Sequence, residues 1–165
     1  METPEIPQAL DVPAAIAARR STKDFKPDRI DPALLQRILD LTTEAPSSWN
    51  LQPWRIVVID DNDSREALHK ACFEQRQVLE APVTLVFAVD IDAWEEDMAP
   101  IIEQARTLGA WPDPYCKNAS EAIPVGQNAL SSLGRLREYA IKDAMIAATH
   151  CVLAATSFGL QTTYM

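Results

Sequence analysis

Apolar and polar positions alternate along this chain at two different periods. Leu34, Leu35, Ile38, Leu39, Thr42 and Ala45 recur at helical spacing and put one apolar face on a helix that starts at Asp31-Pro32. Pro46 ends that helix, because the residue before a proline is pushed out of the α region. Asp11-Val12-Pro13 reads as an earlier helix start, with Asp as N-cap and Pro in the first turn, running to about Arg20. Arg55-Ile56-Val57-Val58-Ile59-Asp60 and Thr84 to Val89 are short apolar runs that predict buried strands. Asp63-Ser64-Arg65-Glu66 resembles a capping box and predicts a helix toward Glu80. Asp92 predicts another from about Trp94 to Leu108. Gly109 to Pro124, with Pro112, Pro114, Trp111 and Tyr115, predicts an irregular stretch, either a surface loop or a lid. A long helix then spans about Leu133 to Phe158, with Gly159 as its stop.

Ala140, Ala144, Ala147, Ala148, Cys151 and Ala155 form a stripe of small side chains on this last helix, suited to the core or to a dimer seam. Lys142, Asp143 and His150 interrupt its apolar character, and the apolar run is too short for a membrane span. Phe158 to Met165 leaves the helix and reads as a strand. A strand ending there would leave a sheet edge unprotected, so the chain is expected to be a fragment or truncation of a longer protein.

Helices alternating with strands place the chain in the α/β or α+β class. Its 165 residues suit a single domain, with no internal repeat or interdomain linker. The net charge of −9 argues against sequence-independent nucleic-acid binding, which needs a basic face. Cys72, Cys116 and Cys151 are far apart, with no metal-ligand spacing, and read as inert thiols. Residues 1–10 carry acids and prolines without an apolar run and do not read as a signal peptide. A cytoplasmic location is the resulting default. His69 is expected on an exposed helix face, and His150 reads as a satisfied core or interface histidine.

Two segments carry chemistry. Arg19, Arg20, Ser21 and Lys23 gather three cations and a hydroxyl at a helix end. Forked guanidinium donors match phosphate oxygens; the plainer reading is a basic helix end complementing the helix dipole. Pro46-Ser47-Ser48-Trp49-Asn50-Leu51-Gln52-Pro53-Trp54 puts hydroxyls and amides on a loop that runs into a strand. Amides can donate to and accept from the edge of a planar heterocycle, although Asn and Ser also cap their own turns. Only four glycines are present, so a phosphate must be held by side chains rather than by a glycine-rich loop.

Arg-Arg-Ser-x-Lys followed by Pro-Ser-Ser-x-Asn-x-Gln-Pro-Trp, with the helix ending Leu153 to Leu160, resembles the FMN-dependent nitroreductase family over roughly residues 12 to 165. The resemblance implies an α+β, three-layer fold: a mixed sheet flanked by helices, a long central helix and an intertwined homodimer with FMN at its interface. It implies that Arg19, Arg20, Ser21 and Lys23 contact the ribityl phosphate and the pyrimidine side of the flavin. Pro46, Ser47, Ser48 and Asn50 would reach that flavin from the partner subunit, with Gln52 near the ring or its phosphate. Tyr164 and Met165 fall where the family runs its backbone past the flavin. The family's last strand, late basic residue and C-terminal arm have no counterpart here. The implied activity is ping-pong electron transfer from NAD(P)H through FMN to a small electrophilic acceptor such as a nitroaromatic or quinone. The cofactor carries the redox chemistry, so no catalytic side chain and no metal are expected. The alternatives are a flavin-binding or dimerisation module without turnover, and an acidic α/β domain that binds some other anion.

Overall fold

The computed structural model describes residues 8–165, and the reading of residues 1–7 as no signal peptide lies outside them. Seven helices and two strands follow in the order α1 (Val12–Ala18), α2 (Pro32–Thr43), β1 (Trp54–Ile59), α3 (Asn62–Ala71), α4 (Gln77–Glu80), β2 (Thr84–Val89), α5 (Ala99–Thr107), α6 (Asp113–Ser132) and α7 (Leu136–Ser157). Three helix starts are set by aspartates. Asp11 accepts from Ala14 N at 2.8 Å, Asp31 from Ala33 N at 2.8 Å, and Asp61 from Ser64 N at 2.8 Å. Hydrogen bonds from the Ser64 backbone and side chain hold the Asp61 carboxyl below its usual range. The cap of α3 is therefore Asp61, two residues before the expected capping box.

Residues cluster into two compact units. One comprises the described residues up to Ala45, Ile56–Phe87 and Ala147–Met165. Its core joins Leu34 and Ile38 of α2 to Cys151 and Ala155 of α7, with Leu85, Phe87, Phe158 and Leu160 packed around them. The other comprises Pro46–Arg55 and Ala88–Ile146. Its core joins Met98 and Ile102 at α5 to Cys116, Ala119 and Ile123 of α6, with Trp49, Leu51 and Trp111 alongside. Among the described residues the named strands form one sheet, β1 beside β2. Pairing extends past it through Asp90 N to Pro53 O at 2.8 Å. The expected final strand is reduced to a single parallel bridge between Ser21 and Thr162.

Five sequence expectations are corrected. The helix from Asp63 to Glu80 breaks after Ala71, where Phe73 and Glu74 take left-handed φ of 56° and 57°; neither a glycine nor a proline marks the break. The helix from Trp94 to Leu108 divides into a 3-10 turn, Ala93–Glu95, and α5, because Glu96 is extended and Pro100 opens a new first turn. Gly109 to Pro124 is largely helical. Pro112 is the N-cap of α6, Pro114 sits in its first turn, and Pro124 is accommodated inside it. The prolines read as breakers, but two of the three occupy positions where a helix tolerates them. The long helix begins at Leu136 rather than Leu133. Gly134, at φ 66°, ends α6 with Arg135 N bonding Leu130 O at 2.9 Å and Gly134 N bonding Ser131 O at 2.8 Å. His69 is half-buried rather than exposed, and His150 is half-buried too.

Gly159, at φ 80°, ends α7 as expected. The small-residue stripe is core within this chain: Ala140, Ala144, Ala147, Ala148, Cys151 and Ala155 are all 6% exposed or less. Ala147 has no room to grow. Ala147→Leu is expected to lower stability by about 1–3 kcal/mol, read as a fall in the thermal midpoint. Burial pushes the Cys151 thiol above its ordinary value, against a weaker opposite effect of its contact with the Thr42 side chain. The unfolded thiol therefore ionises first, and its contribution to stability is lost as pH rises above the ordinary cysteine value of 9.0. Cys151→Ala should flatten the stability profile there, measured by denaturant unfolding from pH 8 upward.

Candidate functional site

The basic segment closes α1. Arg19 is its C-cap, with its backbone N–H on Ala15 O at 3.0 Å. The half-buried Arg19 guanidinium makes no hydrogen bond or ion pair among the described residues. Arg20 folds back, donating from Nη1 to Ala17 O at 2.7 Å and to Arg19 O at 2.8 Å. Arg20 thus serves the terminal carbonyls of α1, the dipole role weighed for this segment. Ser21 is exposed and bridges Thr162 through the backbone. Thr22 N donates to Thr162 O at 3.1 Å, and Thr22 Oγ1 to Gln161 Oε1 at 3.0 Å. Lys23 Nζ lies 3.5 Å from Thr163 Oγ1. Arg76 pairs with Asp24 and reaches Lys23 O, bracing the far side of the segment.

The cationic segment and the chain's last residues therefore run side by side. Tyr164 OH lies 3.5 Å from Thr149 Oγ1, and Met165 is exposed. Thr162 Oγ1 is buried without a partner. An orphan hydroxyl, a guanidinium without a partner and an exposed serine next to a lysine form a donor set that suits an anion. Thr162 and Arg76 were missed from sequence. A lone threonine in a short tail gives no signal, and Arg76 reaches the segment only through the fold.

The second segment is a tight loop. Pro46 is exposed, and Ser47, Ser48, Trp49 and Asn50 are half-buried. Trp49, Asn50 and Gln52 take φ of 56°, 56° and 46°, left-handed values that side chains with a Cβ adopt at a cost. The loop bonds to itself: Asn50 N to Ser47 O at 3.1 Å, Leu51 N to Ser48 O at 3.0 Å, Gln52 N to Ser47 Oγ at 2.9 Å, and Gln52 Nε2 to Asn50 Oδ1 at 3.0 Å. The turn-capping reading of these polar residues is thus realised for Ser47. The Asn50 Nδ2, the Ser47 hydroxyl proton and the Gln52 Oε1 remain uncommitted. Trp49 stacks on Tyr115 of α6, with centroids 6.0 Å apart and planes at 7°, and Trp111 meets Tyr115 edge-on at 5.1 Å. Burial raises the Tyr115 phenol. Trp54, the first residue of β1, is core.

Asp143 and Lys142 of α7 anchor this loop. Ser48 N donates to Asp143 Oδ2 at 3.1 Å, and Lys142 Nζ donates to Ser48 Oγ at 2.7 Å. The signal for both was present in the sequence, as charges interrupting a small-residue stripe, but nothing in the sequence tied them to Ser48.

A profile of the Nitroreductase family matches residues 16–165. The chain belongs to that family. A Thermus thermophilus NADH dehydrogenase is 46% identical over 83 residues, half of this chain and 40% of that protein. A Salmonella typhimurium oxygen-insensitive NAD(P)H nitroreductase is 29% identical over 122 residues, 68% of this chain and 54% of that protein. The chain thus spans about half the length of these curated relatives or less. An Exiguobacterium sibiricum protein crystallised in complex with FMN superposes with a TM-score of 0.74 at 25% identity, over 94% of this chain and 74% of that one. The nitroreductase-like α+β fold expected from sequence is the fold of such structures.

Arg20→Ala should destabilise the protein by about 0.3–1 kcal/mol through the lost cap of α1. Arg19→Ala, removing a side chain without partners among the described residues, should stay within about 0.5 kcal/mol of the parent. Urea unfolding of the two variants side by side makes the comparison.

Proposed function

We propose that the protein is an FMN-dependent oxidoreductase that passes electrons from NAD(P)H to a small electrophilic acceptor. The observation that carries this reading is the donor set at the end of α1. Arg19 is held by its cap position yet lacks a side-chain partner among the described residues, and Thr162 Oγ1 is buried and unsatisfied. Both fit a phosphate monoester. The FMN-bound relative and the relatives named NAD(P)H nitroreductase support the same choice of cofactor and donor.

On this reading Arg19 and Ser21 grip the phosphate, and Lys23 places positive charge beside the pyrimidine side of the flavin. Arg20 stays on the helix carbonyls. Pro46, Ser47, Asn50 and Gln52 meet the ring from a second subunit, with the Asn50 amide as donor and Gln52 Oε1 as acceptor. Tyr164 and Met165 carry the backbone past the ring. The unit of function is a homodimer, and the cytoplasm, where NAD(P)H is available, is its place of work. Bound FMN supplies hydride acceptance and release. The protein's part is to bind, orient and electrostatically tune it. Donor and acceptor would use one pocket in turn, the basis of a ping-pong reaction.

The purified protein should show flavin absorbance, with FMN released on denaturation at about one per subunit, and NAD(P)H should bleach it under nitrogen. Arg19→Ala should weaken FMN binding about 10- to 150-fold, the worth of one charge-assisted hydrogen bond. A protein that folds, dimerises and takes up no FMN would refute the reading.

A further inference from the structure

Asp143 is 2% exposed and is the one buried carboxylate among the described residues. A buried carboxylate is costly unless it is paired and hydrogen-bonded. Here Lys142 Nζ lies 3.0 Å from Oδ1, Ser48 N donates to Oδ2 at 3.1 Å, and Ser48 Oγ lies 3.4 Å from Oδ1. The same ammonium donates to Ser48 Oγ at 2.7 Å and sits 4.2 Å above the Tyr139 ring. A serine hydroxyl has one proton and two lone pairs. The proton of Ser48 faces Asp143, and one lone pair is taken by Lys142. The Ser48 hydroxyl is thus engaged by Lys142 and lies within reach of Asp143.

The three left-handed residues Trp49, Asn50 and Gln52 begin directly after Ser48. Such conformations persist only where the surroundings over-determine them. Asp143 and Lys142 fix the residue before this run, and the Trp49–Tyr115 stack fixes its first member. We propose that Lys142 and Asp143 are positioning residues: an ionic latch that holds the Ser47–Gln52 loop in its ligand-ready shape, with Ser48 as the strut through which they act rather than as a ligand contact. The proposal rests on the reading of this loop as a flavin-binding element. It adds to that reading a division of labour between neighbouring serines: Ser47 keeps its proton for the ligand, and Ser48 gives its own to the latch.

The test has two arms on the full-length protein. Without flavin, amide hydrogen exchange is followed in peptides covering residues 46–53. Lys142→Met should accelerate exchange there about tenfold, and Lys142→Arg should restore protection, because a guanidinium can still donate to both partners. The thermal midpoint should fall in Lys142→Met, which leaves the buried Asp143 carboxylate without its counter-charge, and recover in Lys142→Arg, while exchange in peptides covering α2 stays with the parent in both. With FMN, Ser48→Ala and Lys142→Met should each weaken binding about tenfold, and the double variant should be no weaker than either single, as expected for groups acting as one unit. Unchanged exchange in Lys142→Met, or losses that multiply in the double variant, would overturn the latch; multiplied losses would mark Ser48 as a direct contact. If the parent binds no FMN, the flavin reading fails while the exchange arm still decides the latch.

Discussion

Close approach to α7 is the constraint on which the other elements depend. Alanines at 140, 144, 147, 148 and 155 leave this helix almost without side-chain bulk on its buried face. Leu34 and Ile38 of α2 supply the volume that the second half of α7 lacks, meeting Cys151 and Ala155. Close-packed interiors tolerate little change in volume at such contacts. Where α7 carries a charged side chain on its buried face, the side chain is Asp143, and Ser48 N and Lys142 satisfy it.

The two candidate segments solve opposite problems. The end of α1 leaves donors in excess: a guanidinium without a partner and an orphan threonine hydroxyl, held in place by backbone pairing of residues 21 and 22 with Thr162. The Pro46–Pro53 loop has few donors to spare, because most of its polar atoms are spent on its own strained shape. An anion suits the first, and a flat ring edge needing a few directed contacts suits the second.

Much of the helical framework was legible, because aspartate caps and apolar periodicity are local signals. Asp11, Asp31 and Gly159 mark boundaries that the structure keeps. The breaks at Phe73–Glu74 and at Glu96 were not legible, since ordinary residues carry them. Helix α6 was hidden because prolines at its start look the same in sequence as prolines that stop a helix. The members of the candidate site were legible as motif residues. Their sorting into caps, struts and open donors was not: whether Arg20 turns inward or outward depends on geometry that no spacing encodes. Lys142 and Asp143 showed only as anomalies in an otherwise apolar pattern.

Pro124 sits inside α6 without a backbone N–H, so the Ser120 carbonyl lacks its helical donor. Eight residues on, Ser132 Oγ bonds Asn128 O, and Asn128 Nδ2 bonds Pro124 O, so side chains lace the later turns. The earlier turns carry Cys116, Ala119 and the stack of Tyr115 on Trp49. The ladder of α6 thus lacks one rung, between the turns that carry the aromatic stack and the turns that side chains lace. Strain in the stacked end has one backbone tie fewer through which to reach the C-terminal end of its own helix.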